Sequence, residues 1–373
     1  MNIYDYLEEW GIYSFEERTF NEVDAVIFSF LSYANFHPIF EEREEISLQE
    51  AGRIHIGSDI PTKKNIIAVK EANKLLRYMK DTKRYKDCRL FHYEYIANDD
   101  VQFGAISIEY LKNQVFVSFE GTDETISGWK ENFILSYEFP TKSHKLAISY
   151  LNKHYLFSLK KLMIGGHSKG GNLALVSSMY ASFPVRTKIK KVYNADGPGL
   201  LEKEFLSKKY QKIKPKYQHM IPSDCFIGLL LHHSNDVVIK SDHRGILSHN
   251  IVYWKIDKNH FIKAELSPFS KKLDQELRDW FASYHEEDKK EFIQNLEDLM
   301  IRSNIQNIID IETNKKKLFT FIMESKDMSE KTKQITKDFI LLLIQCFGHT
   351  KKEEMKKFMS NIFQFKRKDE ENE

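Results

Sequence analysis

Apolar positions change their period twice along the chain. From the first residue to about residue 85 they recur at helical spacing: Val23, Ile27, Phe28 and Leu31 share one face, and a second helical pattern runs from about Ile66 to Met79. Thr19-Phe-Asn-Glu22 fits a capping box that would start the first of these helices. Near residue 89 the pattern becomes that of strands. Leu90 to Ile96, Phe103 to Tyr110 and Gln114 to Phe119 are rich in aromatic and β-branched residues. The short Leu111-Lys-Asn113 link makes the last two a hairpin.

Strand and helix then alternate. The expected order is a helix over His144–His154, a strand at Lys161–Gly165, a helix over Asn172–Ala181 and a strand at Lys190–Asn194. A helix over Leu200–Tyr210 follows, then strands at Tyr217–Ile221 and Asp236–Ser241. This alternation predicts an α/β fold whose parallel sheet carries helices on both faces. From about Leu266 it stops. Residues 274–284, 289–302, 328–347 and 351–365 all carry helical periodicity, and no glycine falls between Gly245 and Gly348. The expected division is an N-terminal helical segment (1–85), an α/β core (86–265) and a C-terminal helical subdomain (266–373) with a frayed charged tail.

Composition narrows the class without naming it. The chain has 373 residues, 42% hydrophobic and 29% charged, with 56 basic against 54 acidic side chains. These values exclude a disordered or collagen-like chain and leave no overall charge footprint for nucleic acid. Three widely spaced cysteines, Cys88, Cys225 and Cys346, fit a reducing compartment better than a disulfide framework. The first ten residues are acidic where a signal peptide would be basic and apolar, and the longest fully apolar run, Phe339 to Ile344, is far too short to cross a bilayer. A soluble cytoplasmic protein is expected.

The chemistry concentrates at Gly166-His-Ser168-Lys-Gly170, a G-x-S-x-G match with an apolar strand running in and a helical stretch running out. That context is the nucleophile elbow, a turn so tight that the residues flanking the serine must be small. Gly165 and Gly171 relieve it further. A serine needs a base, and the base an orienting acid. Chain order in such sheets is serine, acid, histidine. Asp224, after the strand at 217–221, is the expected acid, with Asp196 the fallback. The base is His243 or His249, and His249 is favoured because it directly precedes Ile251-Val-Tyr-Trp254. Two oxyanion donors are also required, the N–H of Lys169 and the Gly121-Thr122 loop. Asp123 to Ser136, with Ile126, Trp129, Phe133 and Ile134 among charges, suits a lid.

Phe119-Glu-Gly-Thr122 followed by Ile126-Ser-Gly-Trp129 is similar to the oxyanion and lid segment of class 3 lipases, in which the threonine helps form the oxyanion hole. More closely, the chain resembles a bacterial α/β-hydrolase-like family, the Mbeg-like proteins. The matching pieces are Asn2-Ile-Tyr-Asp-Tyr-Leu7, Phe20-Asn-Glu-Val-Asp24, Gly128-Trp-Lys-Glu131, Gly166-His-Ser-Lys-Gly-Gly-Asn-Leu-Ala174, Asn194-Ala-Asp-Gly-Pro-Gly199, Ile227-Gly-Leu-Leu-Leu231 and Ser248-His249 with Trp254. The resemblance departs at Glu120, where an arginine is usual, and at Asn132, where an acid is expected. It implies an α/β-hydrolase-like core.

The expected function is a serine acyl hydrolase acting on an ester or thioester, lipid-like by the class 3 likeness, with no cofactor. The rival is a catalytically silent scaffold that binds a protein partner through its C-terminal helices. A metal centre is the other candidate, since His232, His233, Asp236, Asp242, His243 and His249 crowd into 18 residues. No H-E-x-x-H spacing accompanies them, so no metal is expected. Acids interleave with bases in the C-terminal helices, which argues for solvated faces and against nucleic acid.

Overall fold

A computed structural model describes residues 1–57, 67–98, 101–122, 134–305, 315–324 and 331–338. Its centre is an eight-stranded sheet whose strands lie side by side in chain order. They are β1 (Glu45–Ser47), β2 (Arg89–Ala97), β3 (Gln102–Leu111), β4 (Gln114–Phe119), β5 (Lys161–His167), β6 (Ile189–Ala195), β7 (Tyr217–Pro222) and β8 (Asp236–Ile239). The pairings from β1 to β4 are antiparallel and those from β4 to β8 parallel. The connections dictate this change. A two-residue turn with Asn113 at φ 62° reverses the chain between β3 and β4, whereas each parallel pair needs a crossover segment. The core is α/β-hydrolase-like.

Alternation along the strands divides the side chains between two faces. Val115, Val117 and Phe119 of β4 join the cluster under α4 (Lys142–Tyr155) and α5 (Lys169–Tyr180). Phe116 points the other way, toward α1 (Ile3–Trp10), α2 (Glu22–Leu31) and α3 (Ile67–Met79). Helix α2 lies against β4, β5 and β6, and the Ser118 hydroxyl donates to the Phe28 carbonyl at 2.8 Å. The N-terminal helices therefore form one of the two layers that cover the sheet.

That layer is pinned by a buried ion pair. Arg84 Nε and Nη2 meet Asp24 Oδ1 and Oδ2 at 2.8 and 2.6 Å, with both side chains fully shielded from solvent. The hydroxyls of Tyr6 and Tyr85 donate to the same carboxylate at 3.1 and 2.6 Å. Asp24 also receives the Asn21 N–H, while Asn21 Oδ1 accepts from the Val23 and Asp24 N–H groups. The capping box of α2 is thus Asn21 with Asp24, two residues beyond the Thr19–Glu22 match. Asp24 wins because one carboxylate there serves both the cap and Arg84. A second difference is β1, which lies within the segment expected to be wholly helical; three residues are too few to show a period.

Beyond the sheet, α6 (Pro268–Ser283), the Glu286–Arg302 helix and the Lys315–Glu324 helix share one apolar cluster with Ile221, Cys225, Phe226, Ile227 and Leu229. The C-terminal helices thus pack on the loop that follows β7. Residues 331–338, inside the helix expected over 328–347, are helical; the 351–365 pattern lies outside the described residues. So do residues 123–133, most of the expected lid. No described helix is long and apolar enough to cross a membrane.

Candidate active site

The polypeptide leaves β5 at His167 and enters α5 at Lys169, so Ser168 alone makes the turn. Its backbone sits at φ 56°, ψ −133°, a conformation that a side chain adopts only when the surroundings enforce it. The Ser168 N–H donates to the Ala195 carbonyl at 2.9 Å, and the Gly171 N–H returns to the Ser168 carbonyl at 2.9 Å. The flanking glycines are steric requirements. A Cβ on Gly166 would lie 2.2 Å from the Gly170 carbonyl carbon, and one on Gly170 would lie 2.1 Å from the Phe119 oxygen. Both obstacles are backbone and cannot move aside.

His249 closes a short 3₁₀ turn, Gly245–His249. Its Nδ1 is 2.6 Å from Asp196 Oδ2, and the other Asp196 oxygen accepts the Gly228 N–H at 3.0 Å. Asp196 is fully buried and follows β6 directly, with φ at 49°. The acid expected from the sequence, Asp224, does not hold this histidine. Its carboxylate stands 4.0 Å from Arg244 Nε, and its carbonyl accepts the Ser248 hydroxyl at 2.9 Å. The correction follows from register. Strands β5 and β6 are neighbours, with His167 opposite Ala195, so the residue just past β6 lies beside the elbow. Asp224 follows β7, one strand further out.

His167, the residue before the serine, is not singled out by the sequence pattern. It is buried, and its ring centroid lies 4.3 Å from that of His249. Its Nε2 reaches the His249 carbonyl at 2.9 Å, and its Nδ1 faces the Tyr33 hydroxyl at 3.1 Å. A carbonyl can only accept, so Nε2 carries the proton and Nδ1 accepts from Tyr33. Burial, reinforced by His249, holds the His167 pKa well below the usual histidine range, which keeps the ring neutral and this arrangement intact. His167 thereby ties the histidine loop to the elbow. The only hint in the sequence is its place inside G-x-S-x-G, a position that the motif leaves open.

The expected oxyanion residues lie at the same end of the sheet. Gly121, which precedes Thr122, sits so close to the elbow that a Cβ there would lie 2.5 Å from the His167 oxygen. Thr122 itself is half-buried. Lys169 opens α5, whose N-terminus carries no side-chain cap. The Lys169 ammonium is turned inward, donating to the Gln102 carbonyl at 2.7 Å and to Gln102 Oε1 at 3.0 Å. Glu120 is buried beside Gly104. His243 lies apart, with its ring 3.9 Å from that of Tyr253.

Of the six residues considered for a metal, His233 and Asp236 join His219 in a hydrogen-bonded chain, while Asp242 pairs with Lys255 and His249 with Asp196. His219 and His233 present Nδ1 to the two oxygens of Asp236, at 2.7 and 2.8 Å. His219 Nε2 reaches the Gly197 carbonyl at 2.9 Å, and His233 Nε2 lies 3.4 Å from Asp274 on α6. Nitrogen and oxygen atoms of His219, His233 and Asp236 come close enough to share an ion, but each ring nitrogen here already has a partner. Burial opposes the charge on His233, and the two carboxylates outweigh it, lifting its pKa to about 9. The same histidines hold the Asp236 carboxyl well below the usual range, against its own burial. This chain runs from the turn after Asp196 to the C-terminal helices.

No curated protein matches the sequence. Among solved structures the chain is similar to a Rhizomucor miehei lipase propeptide complex, at 13% identity and a TM-score of 0.34, over 52% of this chain and 67% of that one. Lipase II from Rhizopus niveus matches at 13% identity and a TM-score of 0.34, over 52% and 78% of the two chains. A mutant form of MDLA from Penicillium cyclopium matches at 12% identity and 0.37, over 69% and 86%. The model of the Mbeg1-like family covers residues 79–298, more than half of the sequence and every residue of the elbow and histidine loops, and the chain belongs to that family.

Proposed function

We propose that the protein is a serine acyl hydrolase acting on an ester or thioester. The observation that carries this reading is the 2.6 Å contact between His249 and a fully buried Asp196, set beside a serine held at φ 56°. An Asp196 oxygen that accepts from Nδ1 leaves Nε2 unprotonated, the tautomer a base requires. In this reading Ser168 attacks the acyl carbon as His249 takes its proton. The His249 imidazolium then returns that proton to the leaving alcohol or thiol, and water repeats the cycle on the acyl-enzyme. Asp196 fixes the imidazole and stabilises its charged form, while the Lys169 N–H and Thr122 hold the oxyanion. Lipid-like esters are the proposed substrate class.

The test is labelling with a fluorophosphonate, followed by peptide mapping. The adduct is expected on Ser168. Ser168→Ala should abolish labelling and lower turnover about 10⁶-fold on any ester that the native chain cleaves. A label on another serine, or undiminished hydrolysis by the variant, would refute the assignment. A folded native chain that takes no label at all would favour the silent scaffold.

A further inference from the structure

The parallel strands begin at the end of the sheet opposite the elbow, and that end has an unusual composition. Residues 153–161, 182–191 and 212–216 lead into β5, β6 and β7 and hold ten lysines and arginines with no aspartate or glutamate. Over the whole chain the two signs nearly balance, at 56 to 54. The three segments are tied together. Lys188 Nζ donates to the Tyr155 and Leu156 carbonyls at 2.6 and 2.9 Å, and Lys216 Nζ to the Ile189 carbonyl at 2.7 Å. Glu94 and Glu109, from β2 and β3, pair with Lys153 and Lys160. Among the described residues no carboxylate forms an ion pair with Lys161, Lys190, Lys212 or Lys214.

The same end carries the most exposed large apolar side chains of the described residues. Phe157 and Leu159 are each 93% exposed, and Phe183 is 71% exposed. Exposed apolar residues are common singly, but three on adjoining segments, ringed by cations, make a surface suited to an interface. Phosphate contacts alone would employ the lysines and leave the phenylalanines and leucine in water. An anionic bilayer uses both, taking the apolar tips below its headgroups and the cations among them. We infer that this end of the sheet is a docking surface for a membrane containing anionic phospholipid, with Phe157, Leu159 and Phe183 as the inserted residues. Strand β5 is seven residues long, so the elbow stands roughly 20 Å above that surface. The inference is independent of what Ser168 does.

Co-sedimentation of the full chain with vesicles tests it. Phosphatidylcholine vesicles with roughly one quarter phosphatidylglycerol should bind the protein, and phosphatidylcholine alone should not. Binding should weaken in ~0.5 M salt. Phe157→Ser with Leu159→Ser should lower it roughly tenfold or more, as should Lys190→Glu with Lys212→Glu. These side chains lie at the surface, and an unchanged circular dichroism spectrum confirms that each variant folds. Ser168→Ala should bind as the native chain does. Failure to bind the anionic vesicles overturns the inference. So does full binding by the Phe157/Leu159 variant with competition by heparin, which would mark a polyanion site, or loss of binding in Ser168→Ala, which would place the contact at the elbow.

Discussion

Asp196 and Asp224 show how one strand of displacement decides which acid meets His249. Both are acids that follow a strand, and the sequence alone ranked Asp224 higher. Asp196 lies past the strand that neighbours the elbow, and its φ of 49° turns the chain there, where its carboxylate meets His249. Asp196→Asn is expected to lower turnover about 10⁴-fold, because the amide would select the wrong imidazole tautomer. Asp224→Asn should stay within a few fold of the native rate, and the reverse ranking would restore Asp224. In the proposed reaction His167 serves as a positioning residue, tying the His249 loop to the turn at Ser168. His167→Phe removes both ring hydrogen bonds, so the rate should fall while KM for a short ester stays nearly constant. Equal loss in both would indicate a role in substrate binding.

The elements that hold the site are themselves held by polar staples. Helix α2 bears on β4, β5 and β6, and its first turn carries Asp24 in the grip of Arg84, Tyr6 and Tyr85. Asp24→Ala would strand a buried guanidinium and should cost about 3–5 kcal/mol, read from urea unfolding. A loss under 1 kcal/mol would mean that water reaches Arg84. The C-terminal helices meet the core at the loop after β7, where Gly228 donates to Asp196 and Ile227 and Leu229 join the helical cluster. A chain ending at residue 265 would uncover those residues. It is expected to aggregate or to lose fluorophosphonate labelling, although no proposed catalytic group lies beyond that point.

At the scale of the whole molecule, the histidine–aspartate chain is a polar link between the sheet and the C-terminal helices. His233 binds its proton more tightly in the folded chain, with a pKa of about 9 against the usual 6.5. Its contribution is complete below pH 6.5 and fades as the pH rises toward 9. Asp236 has the opposite sense, its contribution present above its unfolded pKa and lost as acid titrates the folded carboxyl. The native chain should therefore lose Tm between pH 6.5 and 9, and His233→Gln should flatten that limb. Parallel Tm curves for the two proteins would show that the pair is not charged.

The linear order of apolar and polar residues was enough to give the alternating core, the helical flanks and the tight strand-to-helix turn at Ser168. Those features depend on neighbours in sequence: a period of two or of three to four, and glycines two residues either side of Ser168. The expectation placed on His249 rested on the same kind of local signal, its position directly before the apolar run Ile251 to Trp254. Three things were decided only when the chain closed. Short pieces such as β1 have no period to read and are strands because β2 offers them hydrogen bonds. The choice of Asp196 depends on which strands are neighbours, a relation set by sheet order. The basic, apolar-tipped end is assembled from three chain segments separated by about twenty residues each. No window along the sequence contains it, and only the parallel sheet, by starting each strand at the same edge, brings those charges together.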